Sequence, residues 1–188
     1  MGFHNGPNTS YQNLVFAVDG LNTKSSFTTD TRAADFVKTN AEYLSSTSTD
    51  FVKTNTAFSM GTWVKLDTIG TFDGIMGKSG PQGGDVGYNL YTHSSNKIFF
   101  LVSSDGTNQI FAQTSTVVTG VWYFVVAVFD PSDTNSELKI SLDGGAFNTG
   151  TFGSDIYSTT GDFEIGRSFQ TFNSNIRSEE HTSELQSP

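Results

Sequence analysis

GVWYFVVAVFD, residues 120–130, decides the fold. From Val121 to Phe129 every residue is aromatic, β-branched or alanine. Such residues suit the pleated surface of a sheet. The run is far too short to span a bilayer, which takes about 20 apolar residues. It predicts a central strand covered on both faces.

The flanking chain supports a sheet. In AFSMGTWVKLD, residues 57–67, Phe58, Met60, Thr62, Val64 and Leu66 point one way, and Ser59, Gly61, Trp63 and Lys65 the other. Trp63 and Trp122 are expected in the core. Further strands are expected at 13–20, 42–45, 74–80, 87–93, 97–104, 109–116, 137–145 and 162–168. Asp105-Gly106 and Asp143-Gly144 are turn signals, the first joining a hairpin. Residues 1–12 read as an extended arm, and 23–34 as a polar loop. DFVKTN occurs at 35–40 and again at 50–55, which predicts two similar strand-turn pieces rather than a solenoid. No window before residue 177 keeps a helical period. Many short strands at regular spacing mean an all-β sandwich or barrel.

Composition narrows the chemistry. The 188 residues are enough for one domain with a real core. A net charge of -9 and a pI of about 4.5 disfavour binding to nucleic-acid phosphates or anionic membrane surfaces. There is no cysteine, so disulfides, zinc thiolates and cysteine nucleophiles are excluded. The N-terminus has neither the basic segment nor the apolar run of a signal peptide, and no segment is expected to insert in a membrane.

Three stretches in order resemble one family. FSMGTWVKLD (58–67) is similar to its first aromatic strand, and GVWYFVVAVFD (120–130) to its central strand. LKISLDGG (138–145) followed by FEIGRS (163–168) is similar to its strand, Asp-Gly turn and strand ending Ile-Gly. Together they resemble the laminin-G-like, concanavalin A-like jelly roll, the resemblance covering about residues 5–176 and the domain itself 13–176. The resemblance implies an antiparallel two-sheet sandwich. NGPNTSYQNLVFAVDGLNTKSS (5–26) is similar to the opening of such domains in bacteriophage tail-fibre and other virion proteins. That likeness implies a virion protein made in the host cytoplasm, with other virion proteins as partners and homo-oligomerisation as one arrangement.

A fold does not assign a function, so sites must be argued residue by residue. A glycosidase needs two carboxylates about 5–9.5 Å apart. Asp162 and Glu164 are the nearest pair on one strand face, but no third carboxylate extends the pattern. Gly77-Lys78-Ser79 lacks the upstream glycine of a phosphate loop, that position being Phe72. No nucleophile-elbow pattern appears. The resemblance implies Ca2+ as the candidate ion, held on loops such as 83–87 and 104–108; no cofactor is required. Sugar binding would use aromatic rings and short polar side chains. Tyr88, Asn89, Tyr91 and His93 on one strand, with Asp85, Asp105 and Asn108 in neighbouring loops, are the candidates. Tyr88 and Tyr91 are three apart, so they face opposite sides. The expected function is a non-catalytic adhesion module for a surface glycan or host-surface receptor. A structural or oligomerisation module and a glycoside hydrolase are the alternatives.

The last residues differ from everything before them. RSEEHTSELQS, residues 177–187, reads as the one-frame translation of a common short-read sequencing adapter. Residues 177–188 are therefore expected to be an artefactual tail that forms no sheet strand. The native last strand, approached through FNSNI (172–176), is expected to be missing and to leave an open edge.

Overall fold

The computed structural model describes residues 33–80, 84–168, 172–173 and 176–179. The arm at 1–12 and the strand expected at 13–20 lie outside the described residues. The strands are β1 (Ala33–Phe36), β2 (Leu44–Ser46), β3 (Phe58–Leu66), β4 (Gly74–Ser79), β5 (Val86–His93), β6 (Lys97–Ser103) and β7 (Gln109–Thr116). They continue with β8 (Trp122–Phe129), β9 (Leu138–Leu142), β10 (Asn148–Gly150), β11 (Phe163–Ile165), β12 (Arg167–Ser168), β13 (Phe172–Asn173) and β14 (Ile176–Glu179). The first sheet runs β1-β14-β3-β8-β9-β10 and the second β2-β11-β4-β5-β6-β7, with β12 and β13 as a small ribbon. Neighbours pair antiparallel, as in Phe58 opposite Phe129 and Tyr91 opposite Phe99. The two-sheet antiparallel sandwich expected from the sequence is what forms.

Alternation builds the interior. Met60, Val64 and Leu66 of β3 face inward with Val125, Ala127 and Phe129 of β8. From the second sheet, Leu90, Ile98, Phe100 and Val102 meet them. Phe58 joins the two layers: its ring lies 5.9 Å from Phe129, 4.8 Å from Tyr88 and 6.2 Å from Phe100. Such ring pairs add about 0.5–1.5 kcal/mol each beyond the area they bury. The β9–β10 turn uses Asp143 and Gly144 with φ of 53° and 71°. Two successive positive φ values match the twist of a two-strand turn, which favours Asp-Gly. Gly166, at φ 83°, separates β11 from β12 where the Phe36 ring lies against its α-carbon.

Several expectations need correction. β8 is central, but only one face is sealed. Trp122, Phe124, Val126 and Val128 are half-buried on the outer face of the first sheet. Trp63 is also there, not in the core, with its ring 5.3 Å from Phe124. Trp122 lies under the Lys65 ammonium at 5.4 Å rather than inside. Large rings beside one another on an open sheet face shield themselves laterally, so a continuous apolar run does not require a covering layer.

The two DFVKTN copies differ as well. In the first, Asp35 and Phe36 close β1 and Lys38–Asn40 form a 3-10 turn. In the second, Asp50 and Phe51 lie in the 3-10 turn Thr49–Phe51. Both phenylalanines still reach the core, Phe51 by stacking on Phe163 at 4.1 Å. β1 also begins at Ala33, inside the stretch expected as a loop.

The largest correction concerns the end of the chain. Arg177, Ser178 and Glu179 continue β14 from Ile176 and lie between β1 and β3, with Ser178 opposite both Ala34 and Val64. The last-strand slot is therefore filled rather than missing. The ladder is made by main-chain N–H and C=O groups, so a short segment of almost any composition can occupy it.

Candidate functional site

The sequence candidates lie along β5 and its flanking loops, and the structure separates them into two ends and a middle. At the first end, Asp85 is a clasp. Its Oδ1 accepts the Thr160 N–H at 3.0 Å and its Oδ2 the Thr160 hydroxyl at 2.7 Å. Its carbonyl accepts from Gly80 N–H at 2.7 Å and from the Thr159 hydroxyl at 2.9 Å. Burial pushes the carboxyl up, but the hydroxyls and backbone N–H groups of Thr159, Thr160 and Gly161 outweigh it. The net effect holds the group below its ordinary value.

Asp105 and Asn108 are joined to each other. Asp105 Oδ1 accepts the N–H groups of Thr107 at 2.8 Å and Asn108 at 2.7 Å, and its Oδ2 accepts the Asn108 side-chain amide at 2.6 Å. The Thr107 N–H, the Asn108 side chain and the Asn108 N–H hold the Asp105 carboxyl down at about 2. This loop meets the first through Val86 N–H, which donates to the Gly106 carbonyl at 3.1 Å. Among the described residues, no three His, Asp or Glu side chains gather in a geometry for a metal.

The middle is closed. Tyr88, expected to contact sugar, faces the interior at 2% exposure. Its hydroxyl donates to the Phe51 carbonyl at 2.7 Å, and burial pushes its phenol up. The alternation that separates it from Tyr91 directs it toward the opposite sheet. Asn89 faces outward but is 1% exposed, and its amide donates to Ser79 Oγ at 3.1 Å.

The other end is aromatic, with a buried centre and exposed rings at its margins. On the outer face of the second sheet, Tyr91 lies 5.8 Å from Phe99, and His93 stacks on Phe99 at 4.4 Å. Phe72, just before β4, is 4.9 Å from His93, while Phe111 on β7 is 4.7 Å from Phe99. Tyr91 and Phe99 are nearly buried by their neighbours, whereas Phe72 and Phe111 are 39% and 46% exposed. Burial pushes the Tyr91 phenol up to about 12. His93 Nδ1 accepts the Ser95 N–H at 3.2 Å, which in the neutral ring leaves the proton on Nε2.

Phe111 also lines a groove of about 430 Å³ with Lys97, Gln113, Thr114, Ser115, Asn148 and Thr149. The groove runs where edge strand β7 meets β10. A bulge opens it: Phe99 pairs with Gln113 but Lys97 pairs with Thr116, so β7 carries an extra residue there. Thr114 Oγ1 takes up the Ile98 N–H at 3.0 Å.

The carboxylate pair is not free for acid–base work. Glu164 is 2% exposed and accepts both the Nε (2.9 Å) and the NH2 group of Arg167. The Arg167 guanidinium in turn lies 3.4 Å from the Tyr43 ring. Asp162 is half-buried, and its charge acts on Lys78, whose ammonium donates to the Gly161 carbonyl. Burial, the largest influence, lowers the Lys78 pKa against the raising charges of Asp162 and Asp85.

Sequence reasoning named Tyr91 and His93 but missed Phe72, Phe99, Phe111 and Lys97. The signal was present as parity. Lys97, Phe99 and Leu101 alternate to one face of β6, and Phe111, Gln113 and Ser115 to one face of β7.

Similar solved structures include a Trypanosoma rangeli sialidase in complex with sialic acid, at 19% identity and a TM-score of 0.44, covering 66% of this chain and 20% of that one. The chain thus spans about a fifth of the length of these sialidases. A Ruminococcus gnavus IT-sialidase CBM40 bound to α2,3-sialyllactose is 11% identical, with a TM-score of 0.47 and coverage of 68% and 76%. Domain 4 of a GH43 extracellular arabinanase from Geobacillus stearothermophilus, in complex with arabinotriose, is 18% identical. Its TM-score is 0.39, with coverage of 69% and 62%. No curated protein matches the sequence. Residues 38–178, from the first 3-10 turn into β14, match the concanavalin A-like lectin/glucanases superfamily, and the chain belongs to that family.

Proposed function

We propose that this protein is a non-catalytic carbohydrate-binding module that uses the outer face of its second sheet. The observation that carries the reading is the ring strip Phe72–Tyr91–His93–Phe99–Phe111, which ends at the β7–β10 groove. Apolar sugar faces pack on rings, and hydroxyls need short polar partners beside them. Phe72 and Phe111 offer exposed rings, and Gln113, Asn148 and Thr149 offer amides and a hydroxyl. Membership in a family of lectins and glucanases supports sugar as the ligand. Between those two classes, binding is favoured because Glu164 is engaged by Arg167. The N-terminal stretch at 5–26, with its likeness to virion proteins, supports a place on a phage tail, where a surface glycan would be the receptor.

A glycan array of the whole chain beside its Phe111→Ala variant tests the reading. The expected result is binding to at least one glycan class that the variant loses while its thermal unfolding stays close to the parent's. Binding that survives both Phe111→Ala and Phe72→Ala would overturn the site. No binding to any glycan, with or without calcium, would overturn the function.

A further inference from the structure

We infer that the β7–β10 groove takes an acidic saccharide, with the carboxylate of a uronic or other sugar acid on Lys97. The inference rests on the glycan-binding reading and specifies its ligand class. Lys97 is half-buried on the outer face of β6, opposite His93, and lines the groove with Phe111, Gln113 and Asn148.

Five other described cations have local partners, whereas Lys53 lies away from the groove lining. Lys38 is on Asp73, Lys139 on Asp130 and Asp133, and Arg167 on Glu164. Lys65 covers Trp122, and Lys78 is held at the Gly161 carbonyl. Among the described residues, no carboxylate reaches Lys97. A half-buried ammonium beside rings and amides, with no internal anion, is complementary to a ligand anion that arrives with hydroxyls.

The chain as a whole carries -9, which repels anions. That repulsion is screened beyond about 8 Å at physiological ionic strength, whereas a partly buried ammonium–carboxylate contact is screened much less. The contact therefore decides. A hydrogen bond to a charged group contributes roughly tenfold in affinity. The bulge leaves the exposed Ser115 hydroxyl at the groove for the sugar ring, while the buried Thr114 hydroxyl is taken up by Ile98 N–H and the Ser115 carbonyl.

The test uses matched oligosaccharides ending in glucuronic acid or in glucose, titrated calorimetrically into the whole chain and into Lys97→Gln. The acidic ligand is expected to bind about tenfold tighter than the neutral one, with the advantage shrinking as salt rises. Lys97→Gln should erase that difference while keeping a parental circular dichroism spectrum. Equal binding of both ligands by the parent overturns the acidic-ligand inference while the glycan-binding reading stands. A preference that persists in Lys97→Gln overturns the assignment to Lys97. Absence of binding by any saccharide in the array above overturns the underlying reading instead.

Discussion

The two ends of β5 differ in composition and in fate. One end has Asp85 with Asp105 and Asn108 nearby; the other has Tyr91 and His93 with Lys97 nearby. Roughly 25 Å separates them along the strand. At the first end the carboxylates are engaged, Asp85 by Thr160 of the segment before β11 and Asp105 by Thr107 and Asn108 of its own loop. At the second end the rings pack on one another and leave Phe72, Phe111 and the groove facing solvent. Polar loop residues that look like ligands can serve turn formation, and an aromatic face that looks like core can be the open surface.

Substitutions can break this contrast. The largest expected effect is at the clasp. Asp85→Ala removes two side-chain hydrogen bonds to Thr160 and should destabilise the fold by about 2 kcal/mol in urea unfolding. Saccharide affinity should stay at the parental value when measured well below the unfolding midpoint. If affinity falls in parallel, the two ends are not independent.

Alkaline pH probes the other end. Tyr91 is neutral in the fold up to about 12, against about 10 when unfolded. Between those values the unfolded chain has lost a proton that the folded chain keeps. Stability from this group is therefore fully present below pH 10 and is lost as pH rises toward 12. Spectrophotometric titration should show a late tyrosinate component that Tyr91→Phe reduces.

Phe111→Ala should weaken saccharide binding about tenfold by calorimetry while shifting stability by less than about 1 kcal/mol. A large stability loss without an affinity change would make Phe111 a packing residue only. The smallest effect belongs to Asp105. Its carboxyl is held at about 2, so its contribution is present above about pH 4 and is lost as pH falls through 2. The fully exposed site makes this a local change at the β6–β7 turn. Amide exchange at Thr107 and Asn108 should rise in Asp105→Ala with no change in binding.

Much of the fold was legible because side-chain parity along a strand is local. The alternation of residues 57–67, the Asp-Gly turns and the apolar stretch of β8 all appear where they were read. The site was legible only in part. Tyr91 and His93 share a face, as parity required, but their ring partners come from β6, β7 and the segment before β4. Cross-strand register sets those contacts, and no single stretch carries it. The failed expectation at Arg177–Glu179 has a related cause. Unusual composition says little about whether a backbone can fill a slot between two strands.

The amino-acid sequence by itself determined an all-β sandwich, most of its strands and the parity of each side chain, because these follow from local stereochemistry and the period of two. Only the tertiary structure decided which faces lie open. It turned Tyr88 inward, left Trp63 and Trp122 outside, tied Asp85 to Thr160 and Asp105 to its own loop, and gathered a strip of rings that ends at the groove of Phe111 and Lys97. Whether a face is covered depends on segments far apart in the chain meeting across the sandwich, and that choice is made by long-range packing rather than by local pattern.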